Sequence, residues 1–282
     1  MVGVGLRDFM SEQATKAEKL RQLHHGPKIL VLPNAWDAAS ARIFEDTGFQ
    51  AIATTSAGVA FALGYPDGQF IPREEMLAAV KKIASSVRVP VTADLEAGYE
   101  DVAKTAMSAI EAGAVGLNIE DMDHSDGGGL LSTAQQVEKI KTVRRVGESL
   151  GVRLVINART DQYLAEIGEP ATRFEHACER LRAYIEAGAD CVFAPGVTDE
   201  VTIARLVNTL KFPLNVLAQL PSPPVAKLQE LGVARVSVGA GIMRATMGLT
   251  QRAANELHES GTYRAMFEGA MSWDKANALF QR

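Results

Sequence analysis

Five times along this chain a stretch with helical spacing closes on a glycine and passes straight into a short apolar run: Thr47-Gly48-Phe49, Ala112-Gly113-Ala114, Leu150-Gly151-Val152, Ala187-Gly188-Ala189 and Leu231-Gly232-Val233. A glycine just past a helix takes the left-handed backbone conformation that other residues avoid, which turns the chain out of the helix and toward a strand. Apolar runs near residues 29–32, 50–54, 89–93, 115–119, 153–158, 190–194, 213–218 and 234–238 supply eight candidate strands. Helical periodicity fills the intervals, for example at 36–47, 73–86, 101–112, 133–149 and 170–187. Eight β/α units in about 220 residues predict an α/β fold, a (β/α)8 barrel of the TIM type. No linker divides the 282 residues, so 1–282 is read as one barrel domain. An open doubly wound sheet is the runner-up, but the position after its first strand reads Leu32-Pro-Asn-Ala-Trp36, without the glycines that cradle a phosphate.

Beyond the eighth run the pattern changes. A helix is predicted near 242–258, followed by Ser260-Gly261 and a helical tail at about 259–282 that carries Tyr263, Met266, Phe267 and Trp273. With no further strand to cover, those side chains are expected to pack on the barrel's outer wall or on a second copy of the chain, so a homo-oligomer is expected.

Composition excludes several classes. The formal net charge is −5 and the basic residues are scattered, so no nucleic-acid footprint exists. No apolar run reaches the ~18 residues of a membrane span. Arg7 and Asp8 interrupt the place where a secretory signal needs its apolar stretch, which makes a cytoplasmic location the expectation. Cys178 and Cys191 are too few for a disulfide framework and read as core residues. His24 and His25 precede Gly26-Pro27, a loop signature, and read as solvated.

In such a barrel the C-terminal strand ends share one rim, where the active site lies. Three runs end there in charged residues: Val89-Pro-Val-Thr-Ala-Asp-Leu-Glu-Ala-Gly98, Val115-Gly-Leu-Asn-Ile-Glu-Asp121 and Leu154-Val-Ile-Asn-Ala-Arg-Thr-Asp161. Asp94 and Glu96 project to the same side if their strand continues that far. With Glu120 they form a cluster whose mutual repulsion a divalent cation would relieve. Oxygen donors without histidine or cysteine favour Mg2+, with Mn2+ as the alternative, over zinc. Helix capping is the competing role for these acids, as Glu100 and Asp101 illustrate. Arg159 either pairs with Asp161 or clamps a substrate carboxylate. Thr55, Ser56 and Ala57 offer a nest of amides and hydroxyls, Asp67 sits in a Pro-Asp-Gly turn, and Asp121-Met-Asp-His-Ser-Asp-Gly-Gly-Gly-Leu130 reads as a mobile loop over the mouth.

At these residues the chain resembles the isocitrate lyase and phosphoenolpyruvate mutase superfamily. The resemblance rests on Pro33-Asn-Ala-Trp-Asp-Ala-Ala-Ser-Ala-Arg42, Thr54-Thr-Ser-Ala-Gly58, Leu63-Gly-Tyr-Pro-Asp67, Ala93-Asp-Leu-Glu-Ala-Gly-Tyr99, Ile119-Glu-Asp121 and Asn157-Ala-Arg-Thr-Asp161. It implies a Mg2+-dependent enzyme that stabilises a pyruvate enolate from a small 2-oxo or 2-hydroxy carboxylate. Asp94, Glu96 and Glu120 would serve the metal, Arg159 with Thr55, Ser56 and Ala57 the substrate carboxylate, and Asp67 would be the loop acid near the reacting end, with Asp67, His124 or water as the source of the proton at C3. It also implies a homotetramer that exchanges its last helix.

The lyases of that superfamily carry a Lys-Lys/Arg-Cys-Gly-His loop after the strand-four glutamate, whereas this chain has Asp121-Met-Asp-His-Ser125. Loss of that cysteine favours decarboxylation of an oxaloacetate-like acid over 2-methylisocitrate-type cleavage or phosphonopyruvate chemistry. Two readings of other classes are a phosphate-binding barrel using Val238-Gly-Ala-Gly-Ile242, and a non-catalytic 2-oxo-acid sensor.

Overall fold

The structure is a computed structural model that describes residues 2–124 and 128–281. Its nine short strands are β1 Leu30–Leu32, β2 Asn34–Ala35, β3 Ile52–Thr54, β4 Val91–Asp94, β5 Gly116–Glu120, β6 Val155–Arg159, β7 Cys191–Phe193, β8 Leu214–Leu217 and β9 Arg235–Ser237. All pair in parallel, in the order β1-β9-β8-β7-β6-β5-β4-β3-β2. Nine strands arise from eight predicted runs because Pro33, which has no N–H, interrupts the first. Before it the chain pairs with β9, after it with β3, and the Pro33 carbonyl accepts from Ala53 N at 2.9 Å. The sheet therefore comes round on itself through a single proline.

The helices are α1 Val2–Leu23, α2 Ala38–Asp46, α3 Ser56–Leu63, α4 Arg73–Ser86, α5 Val102–Glu111, α6 Thr133–Ser149, α7 Arg173–Glu186, α8 Glu200–Leu210, α9 Val225–Glu230, α10 Gly241–Ser260, α11 Arg264–Phe267 and α12 Trp273–Ala278. Gly48, Gly113, Gly151, Gly188 and Gly232 have φ of 99°, 96°, 71°, 105° and 89°, the left-handed exits that the sequence pattern requires. Helices α1 and α3 lie outside the sequence expectations. In α3 the run Ser-Ala-Gly-Val-Ala-Phe-Ala-Leu is apolar on every side, so no periodicity marks it.

Helix α1 lies at the N-terminal ends of the central strands. Leu20 is fully buried, and a Cβ at Gly116, the first residue of β5, would meet it at 3.0 Å and Val155 O at 2.8 Å. Arg21 bonds Asp190 at 3.2 Å, and Arg144 of α6 bonds the same carboxylate at 2.5 Å. His24, expected to be solvated, is instead 4% exposed because α1 carries it beneath the barrel, where Nδ1 lies 2.8 Å from Leu20 O. Cys178 and Cys191 are buried free thiols.

The C-terminal helices contrast with this core. Helix α10 has no buried residue, Tyr263 and Phe267 stack edge to face in the open, and Trp273 is 81% exposed. The tail returns to the barrel around Leu279, which is buried and whose carbonyl accepts from Arg42 of α2. Among the described residues no helix is long and apolar enough to cross a membrane.

Burial, aided by the charge of Arg235, lowers the His24 pKa from 6.5 to about 4. The unfolded chain then takes up this proton before the folded one, so stability present above about pH 6.5 is lost as the pH falls toward 4. The contribution is on the order of 2–3 kcal/mol. His24→Gln is expected to flatten the melting temperature between pH 6.5 and 4; an unchanged slope would contradict the assignment.

Candidate active site

Parallel register places the three charged strand ends side by side, with Asp94 opposite Asn118 and Glu120 opposite Arg159. Asp94 is held from both flanks. Its Oδ2 accepts from Ser56 N at 3.1 Å and Ser56 Oγ at 2.8 Å, and its Oδ1 from Asn118 Nδ2 at 2.9 Å. Asn118 Oδ1 accepts in turn from Asn157 Nδ2 at 2.9 Å. A polar chain thus runs across β6, β5 and β4 to the start of α3 and fixes one carboxylate at the mouth.

The neighbouring acid is tied to the guanidinium. Glu120 accepts from Arg159 Nη1 at 2.9 Å and lies 3.0 Å from His124 Nε2. Arg159 directs Nε and Nη2 at Asp161, at 2.6 and 3.0 Å, and lies 5.8 Å from the centre of the Phe193 ring. Burial raises the Glu120 pKa, but Arg159 and His124 overcome it and hold the carboxyl below its ordinary value. The hydrogen bond to Glu120 raises the His124 pKa. Both roles expected for Arg159 are therefore compatible: it is paired with Asp161 and still lines the cavity.

The strand ends at Asp94, so its alternation does not carry on to Glu96, which turns with a left-handed φ of 53°. Its carboxylate accepts from Gln69 N at 2.6 Å and Tyr99 Oη at 3.2 Å, and burial with the charge of Asp94 pushes its pKa up to about 7. Asp67 is exposed at the cavity edge, where partial desolvation and the charges of Asp94 and Glu120 raise its carboxyl. Thr55 caps α3 through Gly58 N at 3.3 Å. Ser56 N is spent on Asp94, and the Ala57 amide has no partner among the described residues. Residues 125–127 of the loop expected over the mouth lie outside the described residues.

These groups surround a cavity of about 410 Å³ walled by Asp94, Arg159, Ser56, Asp67, Phe193 and Arg244, among others. Among the described residues no three His, Cys, Asp or Glu side chains converge as a closed metal-ligand set. The phosphate reading finds less support: Val238 N and Gly239 N both donate to Asn34 Oδ1 at 2.9 Å, so those amides are already engaged.

Sequence reasoning missed Asn118 and Asn157, whose signal is a polar residue two positions before a rim charge in an otherwise apolar run. It also left Asp121 unassigned. That carboxylate is fully buried, accepts from Asp161 N at 2.9 Å and Tyr184 Oη at 2.7 Å, and pairs with Arg180 at 3.1 Å. It anchors the residue that orients Arg159. Asp121→Asn leaves Arg180 without its counter-charge and is expected to cost about 3 kcal/mol in a denaturant titration; a loss below about 0.5 kcal/mol would remove Asp121 from this role.

The profile of the phosphoenolpyruvate phosphomutase family matches residues 20–258, and the chain belongs to that family. An uncharacterised protein of Mycobacterium tuberculosis is 35% identical over 219 residues, 77% of this chain and 80% of the relative. The 2-methylisocitrate lyase of Aeropyrum pernix is 29% identical over 262 residues, 88% of this chain and 82% of its own. A Burkholderia cenocepacia structure, provisionally named a lyase/mutase, superposes with a TM-score of 0.89 at 37% identity over 96% of this chain and 98% of its own. Oxaloacetate acetylhydrolase with its inhibitor 3,3-difluorooxalacetate superposes at 0.83 with 25% identity, over 94% and 92%. The chain is thus an enzyme of the phosphoenolpyruvate mutase/isocitrate lyase superfamily, whose members are carbon–carbon lyases, hydrolases and mutases of small carboxylates.

Proposed function

We propose that this chain is a Mg2+-dependent carbon–carbon lyase that forms a pyruvate enolate from a small 2-oxo acid, with decarboxylation of an oxaloacetate-like acid as its reaction. The observation that carries this reading is Asp94, fixed by Ser56 and Asn118 at the wall of a cavity that Arg159 also lines. The donors fit a hard cation. They are carboxylate oxygens, and burial, with the charge of Asp94 added to it, lifts Glu96 to about 7. Asp94, Glu96 and Glu120 would hold Mg2+ largely through water. When bound, the ion supplies positive charge that stabilises negative charge developing on the substrate's carbonyl oxygen.

The protein's own groups perform the remaining work. Arg159 and the Ala57 amide hold the substrate carboxylate, and the Asp161 fork keeps the guanidinium in one orientation. The C3–C4 bond breaks, its electron pair delocalises toward the C2 oxygen, and carbon dioxide leaves. A proton must then reach C3. Asp67, at the cavity edge with a raised carboxyl, supplies it, whereas His124 is committed to Glu120 and acts by positioning that acid. No cysteine lies in the loop after Glu120, which disfavours cleavage that needs a strong acid/base at C3.

Calorimetric titration with oxalate, a planar mimic of the pyruvate enolate, tests the site. Binding is expected in Mg2+, lost in EDTA, and weakened roughly 10–100-fold in Asp94→Ala. Pyruvate release from oxaloacetate should fall with it, above the rate that Mg2+ alone gives. Oxalate binding that is equal in EDTA would overturn the metal-enolate reading. Oxaloacetate, 2-methylisocitrate and phosphonopyruvate assayed in parallel separate the three reactions.

The exposed apolar face of α10 and of the tail supports a further part of the same reading, a homotetramer in which the last helices pack on a neighbouring copy. Sedimentation of the full chain is expected to show a tetramer, and removal of residues 259–282 a smaller species. A full-length monomer at micromolar concentration would contradict it.

A further inference from the structure

The floor of the cavity differs from the layer of branched apolar side chains that usually fills a barrel of this type. Two residues below the rim positions, and about 7 Å deeper, Asn118, Asn157, Asn215 and Arg235 face inward from four strands. Arg235 opens β9 and is 2% exposed. Its Nε and Nη1 are buried without an acceptor, and it forms no ion pair among the described residues. Asn157 Oδ1 and Asn215 Oδ1 are also buried without donors, acceptors that a hydroxyl of the guest, and not its carboxylate, would satisfy.

The groups that face Arg235 do not neutralise it. The Cys191 thiol, pushed up to about 12 by burial, is uncharged, and His24 beneath it stays neutral above pH 4. Asp94 is the carboxylate whose charge reaches it, but no hydrogen bond or ion pair joins the two among the described residues. A guanidinium does not shed its proton, and burying one without a counter-ion is strongly unfavourable. Above it, Ser237 Oγ accepts from Asn215 Nδ2 at 3.1 Å, which leaves the Ser237 hydroxyl proton to donate into the cavity.

We propose that Arg235 and Ser237 form an anion subsite at the cavity floor that takes the second acidic group of a doubly anionic substrate. The inference rests on the proposed function, in which the first carboxylate sits at the rim with Arg159. Rim and floor present separate guanidinium groups to one cavity, so a diacid has a partner for each of its acidic groups. The subsite thereby selects dicarboxylic over monocarboxylic acids of the same head group.

Malate and lactate share a 2-hydroxy acid head and differ by one carboxylate, so their affinities in Mg2+ isolate the subsite, with oxalate as the rim control. The wild-type protein is expected to prefer malate strongly. Arg235→Gln is expected to reduce that preference roughly 30-fold, leave oxalate within about threefold, and Arg235→Lys to restore part of it. In the ligand-free protein Arg235→Met is expected to raise the melting temperature, since it removes an unpaired buried charge, and to abolish the malate-induced shift. Oxalate binding intact with a malate preference that survives Arg235→Gln overturns the subsite alone. Equal weakening of oxalate and malate, or a ligand-free melting temperature lowered in both Arg235→Met and Arg235→Lys, assigns Arg235 to the fold and also overturns it. Failure of the wild type to bind oxalate overturns the rim reading, and the subsite with it.

Discussion

Closure of an all-parallel sheet is the constraint on which the rest of this molecule depends. A parallel strand can only be followed by another after the chain has returned along the outside, so each strand ends on the same rim and each helix covers the wall. Closure removes both sheet edges, and here it is achieved at Pro33, where one strand changes partners from β9 to β3. The residue that cannot donate to a ladder stands at the point where the ladder changes sides. Everything polar at the C-terminal strand ends is then gathered at one mouth by topology alone.

Gathering charges also requires balancing them, and the barrel does so in two ways. At the rim, Glu120, Arg159, Asp161 and His124 form a network in which opposite charges alternate, and the guanidinium is held by a two-point fork. Beside it, Asp94 is surrounded by neutral donors, Ser56 and Asn118, which orient it without cancelling its charge. Glu96 is lifted to about 7 chiefly by its burial, with the charge of Asp94 adding to it. A site that orders acids with amides and hydroxyls instead of cations retains electrostatic attraction for a positively charged guest.

How far this was legible in the sequence follows from what each level of structure depends on. Strands and most barrel helices were readable because glycine exits and apolar runs are local signals. Helix α3 is not, since a helix apolar on all sides has no period, and the Gly26-Pro27 signature makes His24 read as a loop residue although it closes α1. Glu96 shows the limit of counting by twos: alternation holds only while the chain stays extended, and one residue at φ 53° sends the side chain to Gln69 and Tyr99. Rim residues stand out by their position at strand ends, but several of their partners lie 24 to 63 residues away, as in Asn118 with Asp94 and Tyr184 with Asp121. Those pairings are set by register, which a single sequence does not display.

The polar layer beneath the rim shows what the barrel trades for a deep site. Asn118, Asn157, Asn215 and Arg235 occupy positions where apolar side chains would pack without hydrogen-bond demands, and the fold leaves several of their atoms unpartnered. Asn118 and Asn157 are explained by the chain that leads to Asp94. Asn215 bonds Ser237 and Arg235 bonds nothing among the described residues, so these two account for no part of the rim geometry. Stability alone does not explain a guanidinium there, because a hydrophobic residue of similar volume would fill the space at lower cost. Its position in the same cavity as Arg159, on β9 and so three strands from β6, gives the barrel mouth and its floor a guanidinium each, and the proposed subsite follows from that placement.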